Sequence, residues 1–188
     1  MPSQDAMTSL SMIFVRKPDS YLETKVWRYV ETKTEKPIER SGAKAEVHDG
    51  QIYFFGGYTK KDGEYFDDIF SLGLTSLMWT HYNVKEKPDE RTDHSLVLYK
   101  DALYAYGGRI EVMIRRDMIK FDLRTKEWSR VGASASSATN MDSPPARFGH
   151  SAVVNDGIMY VFGGWDGHFT LNHLLAFDLI TETWKPEV

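Results

Sequence analysis

Short apolar segments that end in a pair of glycines recur along this chain of 188 residues. In each segment hydrophobic and aromatic residues fill most positions, and turn-forming residues such as Asp-Gly stand directly before it. Runs of this kind, bounded by turn residues, predict β-strands. The glycine pairs are Gly56-Gly57, Gly107-Gly108 and Gly163-Gly164.

Further strands are predicted on both sides of each glycine pair. A hairpin turn joins an upstream strand to the apolar segment, because Asp and Gly tolerate the positive φ that a tight turn requires. A third strand and then a tryptophan-containing strand follow the glycines, so each copy reads as four antiparallel strands, with a repeat of about fifty residues. The predicted first strands span 43–48, 94–99 and 150–155; the third strands begin at Asp68, Asp117 and His173; the fourth strands contain Trp79, Trp128 and Trp184.

An Arg-x-x-His motif precedes two of the copies, as Arg91 with His94 and Arg147 with His150, whereas the first copy has Arg40 and Ala43. Together with the apolar-Gly-Gly segments and the spaced tryptophans, this pattern resembles the kelch repeat, which forms the blade of a kelch β-propeller. The resemblance covers residues 40–184 and, more weakly, 10–30. It implies that the tryptophans fill the space between neighbouring blades, and we expect the motif histidines to form hydrogen bonds within their own blade.

The implied fold is all-β, with three complete four-stranded antiparallel kelch blades and a partial N-terminal blade that contains Trp27. The expected boundaries are 1–30 for the partial N-terminal blade, 31–84 for blade 1, 85–132 for blade 2, 133–146 for a mobile loop and 147–188 for blade 3. Closed propellers contain about four to eight blades. Three readings therefore remain open: missing blades that belong to a longer propeller, self-association of two chains, and a small or irregular ring.

Composition argues against some classes of partner. The net charge is −4 and lysines and arginines form no cluster, so we expect neither a nucleic-acid nor a membrane partner. The sequence has no cysteine, which suits a cytoplasmic protein and leaves the nucleus open. No segment resembles a signal peptide or a membrane span.

The resemblance also implies that the loops after the glycine pairs face the ligand side. Tyr58, Arg109 and Trp165 stand directly after the pairs, and these residue types are enriched at binding hot spots. The competing interpretation is that they pack against the neighbouring blade. The predicted partner-binding set, which includes neighbouring loop residues, is Tyr58, Lys60, Arg109, Arg115, Arg116, Trp165 and His168.

No catalytic motif is present: the sequence contains no Gly-x-Ser-x-Gly and no phosphate-binding glycine loop. We therefore predict no enzyme, no cofactor and no metal, and a protein or peptide partner. In kelch relatives such modules serve as substrate-recognition parts of ubiquitin ligases or as cytoskeletal scaffolds. The alternatives are a propeller enzyme that acts on a sugar-like small molecule and a purely structural set of blades.

Overall fold

The computed structural model describes residues 29–132 and 144–186. The partial blade expected over 1–30, including Trp27, lies almost wholly outside the described residues, as does most of the mobile loop expected over 133–146. Within the described ranges, the structure contains no helix that is long and apolar enough to cross a membrane.

Three four-stranded antiparallel sheets, called blades 1, 2 and 3, confirm the all-β prediction. Blade 1 consists of β1 (Lys44–His48), β2 (Gln51–Phe55), β3 (Ile69–Gly73) and β4 (Trp79–His81). Blade 2 consists of β5 (Ser95–Tyr99) and β6 (Ala102–Tyr106), then a short hairpin of β7 (Arg109–Ile110) and β8 (Met113–Ile114), then β9 (Met118–Asp122) and β10 (Glu127–Val131). Blade 3 consists of β11 (Ser151–Asn155), β12 (Ile158–Phe162), β13 (Leu174–Asp178) and β14 (Thr183–Trp184). The β7–β8 hairpin was not predicted from the sequence.

Tight turns set the register of the first two strands in each blade. In blade 1, His48 pairs with Gln51 across a two-residue turn in which Asp49 has φ 45° and Gly50 has φ 70°. Blade 3 repeats this geometry with Asp156 and Gly157. The positive φ angles explain why Asp-Gly occupies both turns.

The blades stack in chain order. Strands β1 and β5 contact each other, and so do β5 and β11, so blade 2 lies between blades 1 and 3. One buried apolar cluster joins blade 1 to blade 2 and includes Phe55 and Phe121. A second cluster joins blade 2 to blade 3 and includes Tyr106 and Phe177. Each blade therefore buries its apolar face against a neighbour, as repeat architectures require.

Tryptophans fill the space between blades, as the resemblance implied. The ring of Trp128 in blade 2 lies 4.6 Å from the ring of Phe55 in blade 1, measured between centroids. The ring of Trp184 in blade 3 lies 4.8 Å from that of Tyr106 in blade 2. In both cases the partner is the aromatic residue that stands directly before a glycine pair, so the tryptophan and the glycine motif meet across the interface.

The glycine pairs allow the backbones of neighbouring blades to approach closely. The N–H of Gly108 donates to the carbonyl oxygen of Arg147 over 2.8 Å, and Gly57 makes the same bond to Arg91 over 2.9 Å. Gly107 has φ 64°, and a Cβ placed there would overlap the carbonyl oxygen of Arg147. Glycine is therefore required at this position, both because the backbone is left-handed and because there is no space for a side chain.

The motif arginines are structural. The guanidinium of Arg91 is fully buried and donates to the carboxylate of Asp117 over 2.9 Å and to the carbonyl oxygen of Gly107 over 3.2 Å. Burial opposes ionisation of Asp117, but the Arg91 guanidinium outweighs it and holds the pKa of that carboxyl below its usual value. In blade 3, His173 takes the place of the acid, and Nη2 of the fully buried Arg147 has no partner among the described residues.

The motif histidines do not form the hydrogen bonds within their own blade that the sequence predicted. Nε2 of His150, in blade 3, lies 2.9 Å from Oγ of Ser95, in blade 2, so this bond crosses the interface. The corresponding neighbour of His94 is Lys44, and both ring nitrogens of His94 are buried without a partner in the described part of the chain. The prediction was wrong because the histidine precedes the first strand, where its ring reaches the strand of the preceding blade.

Candidate functional site

The residues that follow the glycine pairs occupy equivalent places in the three blades. Each forms an isolated antiparallel bridge with the residue that follows the motif arginine: Tyr58 with Ser41, Arg109 with Thr92, and Trp165 with Phe148. The loops that carry them join the second and third strands of each blade and therefore leave the three stacked sheets at the same edge. The structure thus brings Tyr58, Arg109 and Trp165 to one edge of the molecule.

Tyr58 is partly buried by a residue of its own loop. Its ring lies 4.8 Å from the ring of Tyr65, and the backbone of Tyr58 also bridges to Tyr65. Lys60, at the tip of the same loop, is exposed. At Tyr58 the sequence left packing against the neighbouring blade and partner contact as alternatives. The structure shows the ring packed against Tyr65 of its own loop, with part of the ring still accessible.

Arg109 is held between two neighbours. Its Nε donates to a carboxylate oxygen of Asp93 over 3.1 Å, and its guanidinium lies 4.9 Å from the centre of the Phe148 ring, which belongs to the approach to blade 3. The side chain remains about one third exposed. A carboxylate of a partner would therefore compete with Asp93 for the Arg109 guanidinium. The exposed part of that guanidinium and the adjacent Phe148 ring together offer a flat surface for a partner side chain.

The other predicted residues differ in their accessibility. Arg115 is largely buried and forms an ion pair with Asp89 over 3.3 Å, so its main role is structural. Arg116 is exposed. His168 is exposed at the tip of the blade 3 loop, beside the ring of Phe169. Asp166 fixes that tip by accepting the backbone N–H of His168 over 2.8 Å and that of Phe169 over 2.7 Å.

Exposed apolar side chains cluster at the same edge, and sequence reasoning missed most of them. Val112, in the turn of the β7–β8 hairpin, is 93% exposed, and Met113, at the start of β8, is also exposed. Phe169 is 72% exposed in the loop of blade 3, and Trp165 of the same loop is exposed. The two loops touch, because a Cβ placed on Gly167 would lie 3.0 Å from Cδ1 of Ile114. We call Val112, Met113, Trp165 and Phe169 the apolar edge.

A local signal for the apolar edge exists in the sequence. Val112 and Met113 are adjacent apolar residues between Glu111 and Ile114, and successive side chains of an extended segment point to opposite faces, so one of the two is expected to face solvent. The hairpin that exposes both depends on Glu111, which adopts φ 49° at the turn. Without this hairpin, the same residues could have been assigned to a buried strand.

Titratable groups with strongly shifted pKa values lie elsewhere. Burial, followed by the nearby Arg147 guanidinium, lowers the pKa of His150 to about 4, and burial lowers that of His94 well below its usual value. Burial raises the pKa of Tyr106 to about 12. All three side chains lie between blades and not at the loop edge. Among the described residues, no group of three or more His, Cys, Asp or Glu side chains could hold a metal ion.

Comparison with known proteins agrees with the kelch resemblance of the sequence. A family model described as the KLHDC2/KLHL20/DRC7 Kelch-repeats domain matches residues 19–187. Leucine-zipper-like transcriptional regulator 1 homolog of Drosophila melanogaster is 27% identical over 154 residues, which cover 80% of this chain and 16% of that protein. Kelch domain-containing protein 3 of Homo sapiens is 29% identical over 168 residues, covering 79% of this chain and 41% of that protein. Tip elongation aberrant protein 1 of Schizosaccharomyces pombe is 30% identical over 146 residues, 76% of this chain and 13% of that protein. The chain thus spans less than half the length of these relatives.

Proposed function

Because this chain belongs to the kelch-repeat family, we propose that it is a protein-interaction module that binds a peptide or protein partner through the loop edge of its blades. The binding surface consists of the apolar edge together with the accessible parts of Tyr58 and Arg109. Binding, and not catalysis, is its activity. The blades act as a rigid support, and the loops between their second and third strands supply the contacts.

The observation that carries this proposal is the clustering of exposed apolar side chains on two loops that touch. Scattered apolar residues are normal on a protein surface, but a cluster on adjacent loops is typical of an interaction site. Val112 and Phe169 are among the most exposed large apolar side chains of the described residues, and both belong to this cluster. An aromatic anchor with an arginine close by is also the composition that dominates binding energy at interfaces.

The chemistry of the surface indicates the kind of partner. Its centre is apolar and aromatic, and the cation of Arg109 is already paired with Asp93. We infer that the partner contributes apolar side chains as its main anchors, with polar groups at the rim. The finer roles that kelch relatives suggest, such as substrate recognition for a ubiquitin ligase or a cytoskeletal scaffold, are compatible with a surface of this kind.

Selection from a displayed library of random peptides tests the proposal. The purified chain serves as bait, and the affinities of the selected peptides are then measured for the double variant Val112→Ser/Phe169→Ser. We expect affinity to fall at least about tenfold, since the double variant removes two hot-spot side chains, each of which contributes more than about 1 kcal/mol.

The matched control removes two exposed apolar side chains from the opposite edge of the blades, as Met78→Ser/Ile180→Ser. Met78 lies in the turn between β3 and β4, and Ile180 lies in the turn between β13 and β14. The control should bind the selected peptides as the wild type does. Equal binding by the loop-edge double variant, with an unchanged circular dichroism spectrum, would rule out this surface.

A further inference from the structure

The guanidinium of Arg147 is held in the same way as those of Arg40 and Arg91, but among the described residues no carboxylate binds it. We propose that a small monovalent anion, chloride, binds Arg147 at the position that an aspartate carboxylate occupies in blades 1 and 2. The site lies at the base of the blade 3 loop and not on the apolar edge. It goes beyond the proposed function and does not depend on it.

Backbone carbonyls fix all three guanidiniums alike. In each blade Nη1 of the motif arginine donates to the carbonyl oxygen of the first glycine of the pair: from Arg40 to Gly56 over 3.1 Å, from Arg91 to Gly107 over 3.2 Å, and from Arg147 to Gly163 over 2.9 Å. Nε donates to the carbonyl oxygen of the residue two positions earlier, over 3.1, 3.2 and 3.4 Å in the same order. The three side chains therefore present their remaining N–H groups in the same direction within their blades.

In blades 1 and 2 that direction leads to an aspartate. Arg40 forms two hydrogen bonds with Asp68, of which the one from Nη2 is 3.1 Å long. Arg91 donates to Asp117 from Nη1 over 3.2 Å and from Nη2 over 2.9 Å. Two-bond pairs between a guanidinium and a carboxylate are among the strong hydrogen bonds of proteins. The fold therefore provides a place for one negative charge beside each motif arginine.

Blade 3 has His173 where the other blades have the aspartate, and the backbone shows that the positions are equivalent. The N–H of Gly163 donates to the carbonyl oxygen of His173 over 3.3 Å, as the N–H of Gly107 does to that of Asp117, also over 3.3 Å. The His173 side chain is exposed and gives Nη2 of Arg147 no acceptor. The difference between the blades is thus one of side-chain chemistry.

This substitution leaves a buried cation with an unsatisfied donor. Arg147 is 0% exposed, and its Nη2 has no hydrogen-bond partner among the described residues. Within the same part of the chain, no carboxylate forms an ion pair with it. A buried charge without a counter-charge is strongly destabilising, and this favours an anion at the position of the missing carboxylate.

Burial also decides the kind of anion. Because Nη2 of Arg147 is buried, the side chain of a partner protein cannot reach it without displacing the surrounding chain. A divalent oxyanion such as sulfate is larger than a carboxylate group and needs more donors than this single guanidinium provides. Chloride carries one charge, as a carboxylate does, and accepts hydrogen bonds from several directions. We expect it to reach the site past the exposed His173 side chain.

A bound anion would stabilise the contact between blades 2 and 3. Arg147 joins these blades through its backbone, since its N–H donates to the carbonyl oxygen of Arg115 over 3.1 Å and its carbonyl oxygen accepts the N–H of Gly108 over 2.8 Å. The anion would hold the side chain of the same residue. It would therefore strengthen both this contact and the base of the loop that carries Trp165.

Thermal unfolding of the purified chain tests the proposal. Sodium chloride replaces sodium gluconate at constant ionic strength and neutral pH, so that a small anion replaces one that is too large for the site. We expect the midpoint of the wild type to rise by about 2 to 4 °C. The midpoint of His173→Asp should be higher than that of the wild type in gluconate and should not respond to chloride, because its own carboxylate occupies the position.

Two further variants make the result specific. His168→Asp makes the same replacement at an exposed site of the same loop and should respond to chloride as the wild type does. Asp117→His gives blade 2 the arrangement of blade 3, so it should be less stable in gluconate and respond more strongly to chloride.

Broadening of the chloride NMR signal measures binding without unfolding. We expect the wild type to broaden the signal more than His173→Asp does. A wild-type midpoint that is insensitive to chloride, an equal rise in His173→Asp, or equal broadening by both proteins would overturn the proposal.

Discussion

As the pH is lowered, this fold should begin to lose stability above the pH range in which its carboxylates are protonated. The reason is that His150 is buried as a neutral side chain. Its pKa is lowered from 6.5 to about 4, first by burial and then by the Arg147 guanidinium. The unfolded chain therefore binds a proton at a pH where the folded chain does not. The stability associated with neutral His150 is fully present above pH 6.5 and is lost as the pH falls from 6.5 towards 4.

The size of the effect follows from the shift. For a single group with these two pKa values, linkage gives a loss of about 2 kcal/mol at pH 5 and about 3 kcal/mol at pH 4, relative to pH 8. His94 adds to the loss in the same direction, since burial lowers its pKa as well. The pKa of Asp117 is also lowered, but from 3.8, so its contribution falls at a more acidic pH. A loss of about 2 kcal/mol is large beside the 5 to 15 kcal/mol that holds a typical domain folded.

Urea unfolding followed by tryptophan fluorescence, at pH 8 and pH 5 and at one protein concentration, measures the effect. The variant His150→Gln keeps a polar group near Ser95 but cannot take up the proton. We expect it to be less stable than the wild type at pH 8 and to lose about 2 kcal/mol less on acidification. His168→Gln, at an exposed site, serves as the control and should follow the wild type. Equal losses for His150→Gln and the wild type would refute the reasoning.

Two substitutions should stabilise the fold by restoring a partner that the other blades have. Lys44→Ser should give the buried ring of His94 the hydroxyl that His150 has, and raise the free energy of unfolding by about 1 kcal/mol; no gain in urea unfolding at pH 8 would contradict this pairing. His173→Asp should pair Arg147 as Asp117 pairs Arg91, and raise the thermal midpoint at neutral pH, with the gain lost as the new carboxylate is protonated below its pKa; an unchanged midpoint would show that Arg147 is satisfied by other means.

Much of the fold could be predicted because its signals are local. The Asp-Gly turns, the apolar runs and the glycine pairs each act within a few residues, and their recurrence identified three four-stranded units. The role of Trp128 between blades also followed from the repeat, since a single unit cannot bury both of its faces. The β7–β8 hairpin could not be predicted, because its turn depends on the positive φ of Glu111, and glutamate is not a residue type that marks a tight turn.

The candidate site was predicted in part. Its location after the glycine pairs is a property of the repeat, and the structure places Tyr58, Arg109 and Trp165 at one edge. That Arg109 is paired with Asp93, and that Arg115 is largely buried, depends on side chains whose neighbours the sequence does not specify. The prominence of Phe169 likewise depends on Asp166, which fixes the loop tip.

The sequence by itself determined the repeat, the strands and the residues that mark each blade, because turn conformations and alternating burial are set by neighbours along the chain. Only the tertiary structure decided which groups meet across the blades. His150 bonds to Ser95 of another blade, and among the described residues Arg147 is buried without an acid and Phe162 is left exposed. Contacts between neighbouring blades join positions about fifty residues apart along the chain. Their geometry depends on how the blades stack, which no local pattern encodes.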